Sequence, residues 1–142
     1  MILLVEDNED DEALTLRAFK RNQIVNDIVV ARTGQEALDL LFGQGDHAGR
    51  DTRRVPLLML LDLNLPKVDG FEVLRQVRAD PRTHQLRVVV LTSTQQDEDA
   101  ITSYASSANR CVHKPVKFAE LAKAATALGL CWLLLDHAPR AP

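Results

Sequence analysis

Five short apolar runs alternating with longer amphipathic stretches predict an α/β fold, a five-stranded parallel sheet with right-handed crossovers and helices on both faces. Two further observations support that class. Several of the runs are apolar throughout rather than alternating, as strands covered on both faces require. The 142 residues, 46% of them apolar, suit one domain whose core can bury roughly two-thirds of the unfolded surface.

The first run, residues 2–5, is too short for a helix and reads as a strand. Residues 10–23 follow, with Ala13, Leu16 and Phe19 at helical spacing. Residues 27–31 form the second strand. Thr33 with Glu36 reads as a capping box, opening a helix that carries Ala37, Leu38, Leu40 and Leu41. Residues 42–54, with three Gly and five charged residues, are expected to be a loop, longer than most connections in such folds. Residues 57–61 are the third strand. Asp69 and Glu72 repeat the capping pattern before Phe71, Leu74 and Val77, and Asp80-Pro81 stops that helix. The fourth strand is expected over 86–91, the fourth helix over 95–107, the fifth strand over 110–113 and the fifth helix over 118–128.

Composition excludes several classes. Seventeen Lys and Arg against 20 Asp and Glu give a net charge of −3, which gives no support to a broad nucleic-acid-binding surface. Two Cys argue against a disulfide scaffold and fit a reducing compartment. The longest apolar stretch, residues 128–135, is far short of the ~20 residues that a membrane span needs. With no secretory signal pattern at the start, the chain reads as soluble and cytoplasmic.

Open parallel sheets bind ligands at the carboxyl ends of their strands, where loops and helix N-termini converge. Strand 1 exits into Glu6-Asp7, strand 3 into Asp62-Leu63-Asn64, strand 4 into Thr92-Ser93 and strand 5 into Lys114-Pro115. Each of these residues alone could be a helix cap or a surface charge. Together they place three carboxylates, a hydroxyl and an ammonium on one rim. Carboxylates held ~4 Å apart repel by about 4 kcal/mol per pair at an effective dielectric near 20, so the site calls for protons, water or a cation. All-oxygen ligands on a partly open rim suit Mg²⁺; nothing suggests zinc or copper.

Four segments, Ile2-Leu-Leu-Val-Glu-Asp-Asn, Leu61-Asp-Leu-Asn-Leu-Pro-Lys-Val-Asp-Gly70, Val90-Leu-Thr-Ser93 and His113-Lys-Pro115, resemble the receiver domain of two-component response regulators. The resemblance implies a CheY-like, flavodoxin-like (βα)5 sandwich with strand order 2-1-3-4-5. It covers about residues 2–128, so 1–128 is expected to be the receiver domain; by composition, 129–142 is expected to be a C-terminal extension made of an apolar helix end and a disordered tail. It further implies phosphorylation of Asp62 by a sensor histidine kinase, self-catalysed at this one residue rather than enzymatic turnover. Glu6, Asp7, Asp62 and the Asn64 carbonyl would be the Mg²⁺ ligands, Glu6 through water. Thr92 and Lys114 would meet phosphoryl oxygens, and the Lys114–Pro115 bond would be cis. The run Leu128-Gly-Leu-Cys-Trp-Leu-Leu-Leu135 and the long loop before strand 3 are similar to single-domain regulators paired with phytochrome kinases.

Two departures stand out. The family's switch pairs the Thr with a Tyr or Phe three residues before the Lys; here that position is Cys111, so the aromatic half of a Thr92–Cys111 switch is missing. Lys117 stands where a side-chain helix cap would be usual. Residues 130–135 are apolar on every helical face, which predicts a homodimer through the fourth helix, fifth strand, fifth helix and extension. With no DNA-binding module after the fifth helix, output is expected through protein contacts, including as a phosphorelay shuttle or phosphate sink. An aspartate-nucleophile phosphohydrolase is the competing reading, but it wants an acid two residues after the nucleophile. Asn64 stands there, and an amide cannot do general acid work. A dinucleotide or NTP binder is excluded by the lack of a glycine-rich phosphate loop.

Overall fold

The computed structural model describes residues 1–22, 24, 26–65, 68–96 and 109–128. Within them, β1 (Ile2–Val5), β2 (Ile28–Ala31), β3 (Leu58–Asp62), β4 (Val88–Thr92) and β5 (Asn109–His113) form one sheet. Its order is β2-β1-β3-β4-β5, with every neighbouring pair parallel. The helices are α1 (Glu9–Arg21), α2 (Gly34–Phe42), α3 (Gly70–Ala79) and a final helix, Phe118–Ala127. This is the flavodoxin-like strand order that the resemblance implies.

The alternation along the strands is hidden in the sequence, because both faces are apolar, yet it sorts the core into two layers. Leu3, Val5, Met59, Leu61, Val88 and Val90 pack with Leu38, Leu41, Val73, Leu74 and Val77 of α2 and α3. Ile2, Leu4, Leu58, Leu60, Val89 and Leu91 pack on the opposite face with Phe19 of α1 and Leu121, Ala124 and Ala125 of the final helix. Full burial of each such Leu or Val is worth about 1.5–3 kcal/mol, so the central strands anchor the fold.

The helix starts follow the caps. Asn8 accepts from the Asp11 N–H at 2.9 Å, and Glu9, Asp10, Asp11 and Glu12 add negative charge at the positive end of the helix dipole. Thr33 and Asp69 accept from the Glu36 and Glu72 N–H groups. The second half of each expected capping box is not made. Glu36 accepts instead from the Arg32 N–H, and Glu72 pairs with Arg75. Lys117 caps the final helix without a side-chain hydrogen bond, as expected.

Several boundaries differ from expectation. Helix α2 keeps Phe42 and stops at Gly43, whose left-handed φ of 65° ends it; a short 3-10 turn, Gly45–His47, lies in the following loop. Strand β4 starts at Val88 rather than residue 86, because the Leu86 N–H closes a turn onto the Thr83 carbonyl at 2.8 Å. Strands β3 and β4 each run one residue further, making Asp62 and Thr92 strand residues rather than loop residues. The fourth predicted helix is described only at Gln95 and Gln96; its remainder and residues 129–142, with the extension and tail expected there, lie outside the described residues. Among the described residues no helix is long and apolar enough to cross a membrane.

Candidate functional site

The polar rim is built by the strands themselves. Carried one residue beyond β1 and β5, the period-two alternation puts Glu6, Asp62 and Lys114 on the face of Leu4, Leu60 and Val112. Because β1, β3 and β5 are parallel, all three end at the same rim. Glu6 is 1% exposed and Asp62 2%, so charged groups sit where the core layer ends.

Asp62 is held from two sides. Its Oδ1 accepts from the Asn64 N–H at 2.9 Å, and its Oδ2 accepts from the Lys114 Nζ at 2.9 Å. The Lys114 ammonium also donates to Asp11 Oδ2 at 2.8 Å and lies 2.9 Å from Glu6 Oε1. That last contact is an ion pair without hydrogen-bond alignment, and Glu6 Oε1 is a buried oxygen with no hydrogen-bond donor. The Lys114–Pro115 peptide is cis, as expected.

Electrostatics divide the two buried carboxyls. Burial, then the neighbouring Asp62, pushes Glu6 up to about 8, against the pull of Lys114. Burial pushes Asp62 up as well, but hydrogen bonds with Glu6, Lys114 and the Asn64 N–H outweigh it and hold the group below the usual carboxylate range. Burial likewise works against the Lys114 charge, and the close carboxylates of Asp11, Asp62 and Glu6 overcome it and raise its pKa.

Oxygen atoms of Glu6, Asp7 and Asp62 lie within 4.8 Å of one another. Asp7 is exposed, so the group opens to solvent on one side. An all-carboxylate cluster with one buried oxygen lacking a donor fits a hard divalent cation, which needs oxygen ligands and an open side for water. The Gly70 backbone closes the floor. A Cβ there would meet the Asp62 carbonyl oxygen and the Leu63 Cα at 2.6 Å, so α3 can start this close to β3 only with glycine.

Two expected residues stand apart. Thr92 is fully buried, and by parity it belongs to the opposite face, with Val88 and Val90. Its hydroxyl donates to the Thr94 carbonyl at 3.0 Å and accepts from the Thr94 N–H, so it is engaged locally rather than with Asp62. Cys111, in register with Val90, packs half-buried against the α2–α3 side of the core. Asn64 is exposed, with its backbone rather than its side chain turned to the site. Asp11 is the group that sequence reasoning missed. It was indistinguishable from the other acids of the first helical turn.

Comparison with known proteins gives a consistent picture. Residues 2–126 match the response regulator receiver domain model. The chain is 39% identical to a probable methanogenesis regulatory protein, FilR2, of Methanothrix harundinacea, over 98% of this chain and 87% of that one. It is 46% identical to the bacteriophytochrome response regulator AtBRR, whose structure superposes with a TM-score of 0.87 over 95% of this chain and 96% of that one. Response regulator Rcp1 of Synechocystis is 35% identical over 94% of this chain and 88% of its own. Its Mn²⁺-bound crystal structure gives a TM-score of 0.71 over 93% of each chain.

Proposed function

The chain belongs to the response regulator receiver family, whose members are phosphorylated on an aspartate in two-component signalling, and on that premise we propose that Asp62 is the phosphoacceptor. The observation that carries the reading is the placement of Asp62. It is a 2% exposed strand-end carboxylate, 2.9 Å from the Lys114 ammonium and clustered with Glu6 and Asp7. An Asp62 oxygen attacks the phosphorus of a kinase phosphohistidine. The O–P bond forms as the N–P bond breaks, and the imidazole leaves with that electron pair.

Phosphoryl transfer demands little beyond positioning and charge neutralisation. Receiver domains bind a divalent metal; Glu6, Asp7, Asp62 and the Asn64 carbonyl are the residues that would hold it here, as Mg²⁺. When bound, the cation neutralises negative charge on the phosphoryl group. Lys114 supplies the fixed positive charge on the other side. Thr92 meets a phosphoryl oxygen once its hydroxyl leaves the Thr94 carbonyl, which makes it the moving half of a switch. Cys111 carries no ring to follow that movement. A phosphoryl mimic should therefore shift amide signals over residues 95–107 less than in aromatic-bearing relatives. Large shifts throughout that segment would count against a truncated switch.

The donor is a sensor histidine kinase of the phytochrome type, a reading supported by the likeness to a bacteriophytochrome response regulator. The proposed assembly is a homodimer through the fourth helix, fifth strand, fifth helix and C-terminal extension, a reading supported by the apolar composition of residues 130–135. A monomer mass by light scattering at micromolar concentration would contradict the dimer. The phosphoacceptor assignment is tested by phosphotransfer profiling against candidate sensor kinases. Native chain should gain one stoichiometric, acid-stable, alkali-labile phosphate and Asp62→Asn none; label on the variant would overturn it.

A further inference from the structure

We propose that Asp11 is a positioning residue for phosphoryl recognition, anchoring the Lys114 ammonium from the first turn of α1. The inference deepens the receiver reading and rests on Lys114 being a phosphoryl ligand. The ammonium has three N–H donors. One goes to Asp62 Oδ2 at 2.9 Å and one to Asp11 Oδ2 at 2.8 Å, while Glu6 Oε1 offers only an unaligned ion pair at 2.9 Å. Asp62 and Glu6 belong to the group of acids suited to a cation; Asp11 does not. Once a cation and a phosphoryl group engage Asp62 and Glu6, Asp11 is the remaining carboxylate partner of the three.

The anchor is itself fixed. The Asp11 N–H is bonded to the Asn8 side chain, and the next residue, Glu12, pairs with Arg32 at 3.0 Å. The Asp11 side chain is 34% exposed and that of Lys114 13%, so the contact lies at the mouth of the site rather than inside it. Lysine ends in a point charge on a flexible four-carbon stem, and it loses considerable rotamer freedom when held. A second acceptor pre-sets the ammonium, so the incoming phosphoryl oxygen meets a donor already aimed.

The test is the affinity of the full chain for beryllofluoride, a phosphoryl mimic, at saturating Mg²⁺. Asp11→Ala should weaken binding by about three- to tenfold, the range for a partly exposed charged hydrogen bond. Asp11→Asn keeps an acceptor and should lose less. Mg²⁺ affinity, measured separately, should stay within about twofold. Asp10→Ala removes the same charge one residue away, without the lysine contact. It should leave mimic binding unchanged or slightly tighter, which separates anchoring from a general field effect. In a Lys114→Ala background, Asp11→Ala should add nothing. Unchanged or tighter mimic binding by Asp11→Ala, or an additive loss without Lys114, overturns the proposal. If native chain binds no mimic, or Lys114→Ala binds it as native does, the underlying receiver reading fails instead. Should Asp11→Ala lose its helical signal, Asp11→Asn carries the same comparison, and native-like affinity for it with native-like Mg²⁺ binding would contradict the charged anchor.

Discussion

The two rims of the sheet both gather charged side chains, and they use them in opposite ways. At the amino rim, cations close off the backbone. The Arg87 Nε donates to the Leu128 carbonyl that ends the final helix, Arg78 donates to the His84 and Leu86 carbonyls, and Arg50 donates to Leu40 near the end of α2. Each of these donates to a carbonyl near a chain turn or helix end, a structural task. At the carboxyl rim the ratio is reversed. Glu6, Asp11 and Asp62 converge on the single ammonium of Lys114, with Asp7 close by. Such an arrangement is poor for stability and suited to an incoming cation and anion. The contrast locates function more sharply than burial alone, because both rims contain buried or half-buried charge.

Removing Lys114 should break this balance most. Lys114→Ala leaves the carboxylates without their counter-charge, and loss of one partner of a buried ion pair costs about 3–5 kcal/mol. Urea denaturation without divalent ions should show that loss, and Mg²⁺ should restore part of it by binding the folded state. Gly70→Ala comes next. Alanine usually stabilises a helix relative to glycine, but here the new methyl meets backbone of Asp62 and Leu63 at 2.6 Å. A destabilisation of about 1–3 kcal/mol is expected, and thermal melting reads its sign directly. Arg87→Ala on the amino rim should cost only about 1 kcal/mol, the ordinary worth of one hydrogen bond, with no change in Mg²⁺ binding. An equal response to Mg²⁺ from Arg87→Ala and Lys114→Ala would erase the distinction between the rims.

Much of this was legible in the sequence, for identifiable reasons. Short apolar runs declare buried parallel strands, so the strand count and the rim carrying Glu6, Asp62 and Lys114 followed from where those runs stop. The strand ends at Asp62 and Thr92 were less visible, because an apolar run stops at the first polar residue while the ladder continues. Asp62 stays in register with Leu91, and Thr92 with His113. The role of Asp11 was not legible. Any acid in a first helical turn is already explained by the helix dipole, and only the rotation of α1 against β5 separates Asp11 from Asp10. The Thr92 hydroxyl was hidden for a similar reason, since strand parity and a local bond to Thr94 decide its direction.

The proposed phosphoryl acceptor is Asp62, held between the Asn64 N–H and the Lys114 ammonium. Incubating native chain with acetyl phosphate and Mg²⁺, then mapping the modified peptide by mass spectrometry, addresses this assignment directly. A single phosphoryl group on Asp62, dependent on the divalent ion, is the predicted result. A phosphoryl group on any other residue, or modification that proceeds equally well in chelator, would contradict it.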